Sequence, residues 1–236
     1  MIKLLYRDKH IVAVEKPAGL LSAPAPDGGE YIGKCLAEQL SCDEPYLIHR
    51  LDRNVSGLML MALRKEAAGK FSALISERSF TKEYLAVVHG VPEEPSGIYR
   101  DLLFRDSGSN KTYVTEKMRK GVKDASLEYR VLASKDSDDG MLSLVHIKLH
   151  TGRTHQIRAQ FSSRKTPLFG DGKYGSHTNR GSICLHSAGM LFIHPFTKKE
   201  LRLISLPDAV YPWSLFENVP VKDIFSCPVT EDADKI

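Results

Sequence analysis

The spacing of hydrophobic residues changes several times along the chain, and each change marks an element. Between residues 17 and 29, Pro17, Gly19, Pro24, Pro26, Gly28 and Gly29 crowd into a stretch that reads as a long loop. Ile32, Leu36 and Leu40 then recur every four residues, which predicts a helix. Residues 57–63 form a short apolar run of buried-strand type. Ala67, Phe71, Leu74 and Ile75 mark an amphipathic helix of about three turns whose apolar face belongs to the core. From Phe80 to His89 the period drops to two, with Tyr84, Ala86 and Val88 on one face and Leu85 and Val87 on the other.

Two further alternating runs, Leu127-Tyr129-Val131 and Leu142-Leu144-His146, flank Lys135-Asp136-Ser137-Asp138-Asp139-Gly140, whose turn chemistry suits a hairpin. A short helix is expected over residues 154–163, with Ile157 and Phe161 facing the core and Thr154 as its N-cap. The acidic segment from Glu231 to Asp234 reads as part of a frayed tail over residues 226–236. Strands and helices mix without a strict βαβ rhythm, so the expected class is α+β on a mixed, mostly antiparallel sheet.

Composition narrows the function classes. The 236 residues are 42% hydrophobic and 26% charged, with 33 Lys+Arg against 29 Asp+Glu. A charged fraction near the globular average excludes a disordered or collagen-like chain. No apolar run approaches the roughly 18 residues of a membrane helix. The first residues turn charged too soon for a signal peptide. Cys35, Cys42, Cys184 and Cys227 form no C-x-x-C pair, so reduced thiols in the cytoplasm are expected. The net charge of +4 permits an anionic partner without demanding one.

The charge is unevenly spread. Residues 141–166 hold Lys148, Arg153, Arg158, Arg164 and Lys165 with three histidines and no acid. This segment argues for a polyanionic partner better than the net charge does, against the alternative of a solvated helix face. Within it, His150-Thr151-Gly152-Arg153-Thr154-His155-Gln156-Ile157-Arg158 runs from a strand end through a turn into a helix, where backbone N–H groups suit a phosphate or carboxylate.

The other suggestive stretch is His49-Arg50-Leu51-Asp52-Arg53, just before the strand at Gly57. Positive neighbours favour the carboxylate anion of Asp52, suiting a nucleophile or a stabiliser of developing positive charge. A surface ion-pair loop is the alternative, and these five residues alone favour it. Gly170-Asp171-Gly172-Lys173-Tyr174-Gly175 fits G-x-G-x-x-G but lacks the strand before and helix after that a dinucleotide fold needs. His146, His150 and His155 do not have zinc spacing.

The chain resembles the RluA-type pseudouridine synthases at His49-Arg50-Leu51-Asp52, and the resemblance recurs in the family's order along most of its length. Lys16-Pro17-Ala18-Gly19-Leu20 is similar to the first motif. His49 to Arg53 with Ser56-Gly57 is similar to the catalytic motif, and Lys82-Glu83-Tyr84-Leu85-Ala86-Val87-Val88-His89-Gly90 to the tyrosine strand. Residues 151–158 are similar to the third motif. Gly170-Asp171 with Tyr174-Gly175, and Leu185-His186-Ser187-Ala188 with His194-Pro195-Phe196, resemble the closing segments.

The resemblance implies an RNA isomerase that turns uridine in ribosomal or transfer RNA into pseudouridine. The N1–C1′ bond breaks, the base turns, and C5 joins C1′. No metal, nucleotide or redox cofactor is implied. Asp52 is the implied catalytic carboxylate, by attack at C1′ or by proton removal at C2′. Arg158 would hold it ionised, and Tyr84 would stack on the uracil. Arg50, Arg53, Lys82, Arg153, His155, Gln156 and Ile157 are the implied substrate-binding residues, and Arg164 and Lys165 further backbone contacts. The target uridine would have to leave its stack, at a cost of a few kcal/mol.

The implied fold is an α+β pseudouridine synthase core of residues 1–236, a single catalytic domain with a long sheet and flanking helices around a central cleft. It is expected to act as a monomer in the cytoplasm, without an N-terminal RNA-binding module or an obligate protein partner. Three departures stand out: Val55 where the family commonly has Thr, Gln160 where a His often follows the arginine, and Ser22-Ala23-Pro24-Ala25-Pro26 in place of a His-bearing segment. They bear on substrate preference. The rival is a non-catalytic RNA-binding module on the same fold, whose mark would be loss of Asp52, Tyr84 or Arg158. A glycosidase would need a second acid, for which Asp171 is the available residue.

Overall fold

A computed structural model describes residues 1–25, 28–77, 79–178 and 182–225. Pro26 of the Pro/Gly-rich loop, Cys227 and the acidic tail lie outside the described residues. The chain forms two compact units. Of the described residues, the first comprises those within 1–82, 186–207 and 222–225, and the second those within 83–185 and 208–221.

In the first unit β1 (Lys3–Arg7) pairs antiparallel with β2 (Ile11–Lys16), and β2 pairs antiparallel with β4 (Ser56–Ala62). The two-residue β3 (Tyr46–Leu47) also lies antiparallel to β4. On its other edge β4 runs parallel to β10 (Leu185–Ile193), which is followed antiparallel by β11 (Glu200–Ile204). Two helices belong here: α1 (Ile32–Leu40) and α2 (Lys65–Ser76). Phe71 of α2 is fully buried among Leu58, Leu60, Phe80 and Phe192, with Leu74 and Ile75 packed against the same cluster. The four-residue spacing thus places α2 as its apolar stripe requires. The short α4 (Val221–Ile224) ends the described chain.

β5 (Phe80–His89) contains the boundary between the units. It is buried on both faces from Glu83 onward, so its alternation separates two apolar faces rather than core from solvent. In the second unit the strand order is β5, β9 (Leu142–Leu149), β8 (Val122–Lys135), β6 (Ser96–Asp106), β7 (Lys111–Thr115). β6 pairs antiparallel with both β7 and β8, and β8 with β9. The 135–140 turn closes the β8–β9 hairpin, with the Ser137 hydroxyl donating to the Gly140 carbonyl at 2.7 Å and Gly140 at φ 83°. Both units combine mostly antiparallel strands with few helices, which is the α+β class.

The third helix of the chain, α3 (Gln156–Ser163), starts two residues later than the sequence predicts. His155, in the left-handed region at φ 52°, is its N-cap, and no side chain caps it. Thr154 is not the cap: its carbonyl instead accepts the Thr112 hydroxyl at 2.8 Å. Ile157 and Phe161 do face the core, Phe161 edge-on to the Tyr99 and Tyr129 rings.

Candidate active site

The loop bearing Asp52 is fixed from both sides through its backbone. On one side, the Ser22 hydroxyl donates to the Leu51 carbonyl at 2.7 Å and accepts from the Leu51 N–H at 3.1 Å. On the other, the Gly19 N–H donates to the Arg53 carbonyl at 2.8 Å, and Arg53 Nε returns a bond to the Gly19 carbonyl at 3.0 Å. Lys16 closes the clamp. Its ammonium, on a side chain of zero exposure, donates to the carbonyls of Pro17, Leu20 and Arg53 at 2.8, 2.9 and 3.1 Å. Three N–H donors meet three acceptors, so the buried cation is fully hydrogen-bonded. Burial lowers its pKa to about 8, and the charge of Asp52 opposes that shift.

His49 ties the start of the loop to β4. The Leu60 N–H donates to His49 Nε2 at 3.0 Å, which requires that nitrogen to be unprotonated. Burial first, then the charge of Lys82, push the imidazole down to about 3, so it is neutral in any physiological medium. At the loop's end, Gly57 has φ +106°, and a Cβ there would lie 2.3 Å from the Ser187 carbonyl oxygen. Only glycine allows β4 to approach β10 at that point. Ser56 beside it bonds His186 Nδ1 at 2.9 Å. Asp52 itself is half-buried, while Arg50 and Arg53 are exposed at the loop's surface.

In the second unit Tyr84 sits on β5 at 6% exposure. Arg158, on α3, forks onto Asp171, with Nε donating to Oδ2 at 2.6 Å and Nη2 to Oδ1 at 2.9 Å. The guanidinium also lies 4.8 Å over the Tyr174 ring. Both partners of the ion pair are buried, at 6% and 1% exposure. The G-D-G-K-Y-G segment thus serves this pair and not a dinucleotide. Gly170, at φ +79° and with no room for a Cβ against the Ser182 carbonyl, turns the chain so that Asp171 points inward. Asp171 therefore supplies a carboxylate to Arg158, not the second acid of a glycosidase.

The turn before α3 is fastened by Gln156. Its Oε1 accepts from the Thr151 hydroxyl at 2.8 Å and the Arg153 N–H at 3.0 Å, and its Nε2 donates to the Ser126 carbonyl at 3.1 Å. Gln156 and Ile157 are both buried. His155 Nδ1 meets the Tyr174 hydroxyl at 3.0 Å, and Arg153 Nε donates to the Asp124 carbonyl at 2.9 Å. Lys82 is partly buried, which lowers its pKa.

The acid-free segment 141–166 is less basic in space than in sequence. Arg158 meets Asp171, and Arg164 meets Asp101 at 3.0 Å, both acids lying outside the segment. Arg164 also stacks 3.9 Å over the Tyr99 ring. The sequence signal counted charges but not the acids that folding brings to them. It also missed the clamp by Ser22 and the cradle around Lys16, because no spacing rule pairs residues 29 or 37 positions apart.

A family model described as RNA pseudouridylate synthase matches residues 10–163. A tRNA pseudouridine synthase C of Haemophilus influenzae is 31% identical over 223 residues, covering 86% of this chain and 92% of that protein. A protein of the same name from Pasteurella multocida is 28% identical, covering 91% and 98% respectively. A ribosomal large subunit pseudouridine synthase C of Buchnera aphidicola is 29% identical over 86% of this chain and 68% of its own length. Among solved structures, human RNA pseudouridylate synthase domain containing 1 superposes with a TM-score of 0.76 at 25% identity, covering 90% of this chain and 85% of that one. The chain belongs to the RNA pseudouridylate synthase family, the isomerases that convert uridine in RNA to pseudouridine.

Proposed function

We propose that this protein isomerises uridines of transfer or ribosomal RNA to pseudouridine, with Asp52 as the catalytic carboxylate and no cofactor. The observation that carries the assignment is the position of Asp52 within its motif, on a loop whose backbone is clamped immediately before and after it. A fixed anion suits a reaction that builds positive charge on a ribose. In the proposed sequence the N1–C1′ bond breaks, the uracil turns, C5 bonds C1′, and the proton on C5 leaves as N1 gains one. Asp52 serves by attack at C1′ or by removing the C2′ proton.

Tyr84 stacks on the flipped uracil, held on a regular strand that gives the rigid placement such a role needs. Arg158 is the third residue assigned to the chemistry, its guanidinium held by the fork with Asp171. Arg50, Arg53, Lys82, Arg153 and His155 contact the RNA, and Gln156 and Ile157 shape the turn that presents Arg153. The protein acts as a monomer in the cytoplasm, as one catalytic domain. The names of the relatives support both transfer and ribosomal RNA as substrate classes.

The test uses bulk ribosomal and transfer RNA from a strain lacking the gene. Incubation with the protein, followed by mapping of pseudouridines, is expected to restore modification at one or more uridines and to identify them. No restored site in either RNA class would overturn the proposal.

A further inference from the structure

The second unit carries a basic cleft lined by Arg153, assigned above to RNA contact, and by Arg105 and Lys123, which have no role so far. Register across its strands sets Leu103 of β6 opposite both Val114 of β7 and Lys123 of β8, and Arg105 opposite Thr112. Paired and alternate residues share a face, so Leu103, Arg105, Thr112 and Lys123 stand together on one side of the strands. The turn before α3 forms the opposite wall. It is held there by the Arg153 Nε bond to the Asp124 carbonyl and by the Thr112 hydroxyl bond to the Thr154 carbonyl. The result is a cleft of about 300 Å³ with Arg105, Lys123 and Arg153 around it, Leu103 and Thr112 at its floor, and no acidic side chain in its lining.

Two carboxylates on β6 are committed elsewhere. Asp101, two residues along β6 from Leu103, is taken by Arg164 and Gln160. Asp106 accepts the Gly108 N–H and the Ser109 hydroxyl within its own turn. Among the described residues, none of the three cations has a carboxylate partner: Arg105 donates to the Asn110 side-chain oxygen, Arg153 to a backbone carbonyl. Three uncompensated positive charges around a concave wall, two of them guanidinium forks, fit a phosphate group.

We propose that this cleft grips a phosphodiester of the substrate RNA backbone, with Arg105 and Lys123 joining Arg153 as its ligands. The choice of RNA as the occupant rests on the function proposed above. Such a contact anchors and orients the strand without reading its bases. Weakening it therefore lowers affinity alike for all RNA sequences.

The experiment measures binding of a fluorescently labelled pool of unmodified transfer RNA transcripts by anisotropy over a series of salt concentrations. The proteins compared are the full chain, Lys123→Ala, Arg105→Ala and Lys123→Arg. Each alanine variant is expected to bind several-fold more weakly and to flatten the log-affinity against log-salt slope by roughly 1. The same loss is expected with an RNA lacking uridine, and Lys123→Arg restores the slope. In turnover assays the effect falls on KM rather than kcat. An unchanged slope in both alanine variants overturns the cleft. Binding is read without turnover, so a protein that binds through the cleft but makes no pseudouridine overturns the enzymatic assignment alone. Normal turnover with an unchanged slope overturns the cleft alone.

Discussion

The loop that carries Asp52 is fastened through its backbone, by Lys16, Ser22 and Gly19, whereas Arg158 is fastened through its own charge, by Asp171. The backbone clamp fixes where the loop runs, and none of its bonds uses the Asp52 carboxylate. The Arg158–Asp171 fork takes two full charges out of water, and each then depends on the other to offset its lost hydration. Damage to the clamp should therefore appear chiefly in turnover, and damage to the fork chiefly in stability.

The largest effect is expected at the fork. Asp171→Asn keeps the shape but leaves the Arg158 guanidinium buried without its carboxylate, and should cost about 3–5 kcal/mol of unfolding free energy. Denaturant titration checks this, and a loss below 1 kcal/mol would show that the fork is not the structural centre of the second unit.

Lys16→Met comes next. It fills the same space but leaves the carbonyls of Pro17, Leu20 and Arg53 without their donor, at about 2–3 kcal/mol. Its distinguishing readout is a kcat that falls further than KM rises, because the Asp52 loop loosens while the RNA contacts proposed for Lys82, Arg153 and His155 lie off that loop. If KM rose and kcat held, Lys16 would be acting on binding and not on the loop.

A smaller effect separates the two regions by pH. His49 has a folded pKa of about 3 against an ordinary 6.5, because burial and Lys82 disfavour its charged form. Between those values the unfolded chain binds the extra proton, so stability falls as pH falls from 6.5 toward 3. From pH 6.5 to 5.5 the loss is about 1 kcal/mol, and below 3 it grows no further. His49→Gln should flatten this part of the stability profile. A profile as steep as that of the unaltered protein would assign the acid sensitivity to other groups.

Elements set by local periodicity are visible in the sequence, whereas contacts between distant residues are not. The α1 and α2 helices and β5 are set by local periodicity, and Ile32-Leu36-Leu40, Phe71 and the 80–89 alternation announce them. β1 and β2 lie in an N-terminal stretch whose charged residues hide a strand pair. β6 and β7 escape because charged residues such as Arg100, Asp101, Arg105 and Lys111 blur their alternation. Thr154 has the residue type of a cap. His155 holds the position instead, and the Thr154 carbonyl accepts the Thr112 hydroxyl.

The motifs located Asp52, Tyr84 and Arg158 as candidates but not what surrounds them. Ser22 stands where the family commonly carries a His-bearing segment, and it clamps Leu51. Gln160, another departure, donates to Asp101 at 2.6 Å. Arg105 and Lys123 bore no sign in the sequence, because the cleft that joins them to Arg153 exists only through strand register.

Asp52→Asn asks whether Asp52 performs the chemistry on a loop that other residues hold in place. Pseudouridine formation and RNA binding are measured side by side on the same substrate RNA. Turnover is expected to be undetectable, with RNA affinity within a few-fold of that of the unaltered protein. Normal turnover by Asp52→Asn would rule out Asp52 as the catalytic carboxylate.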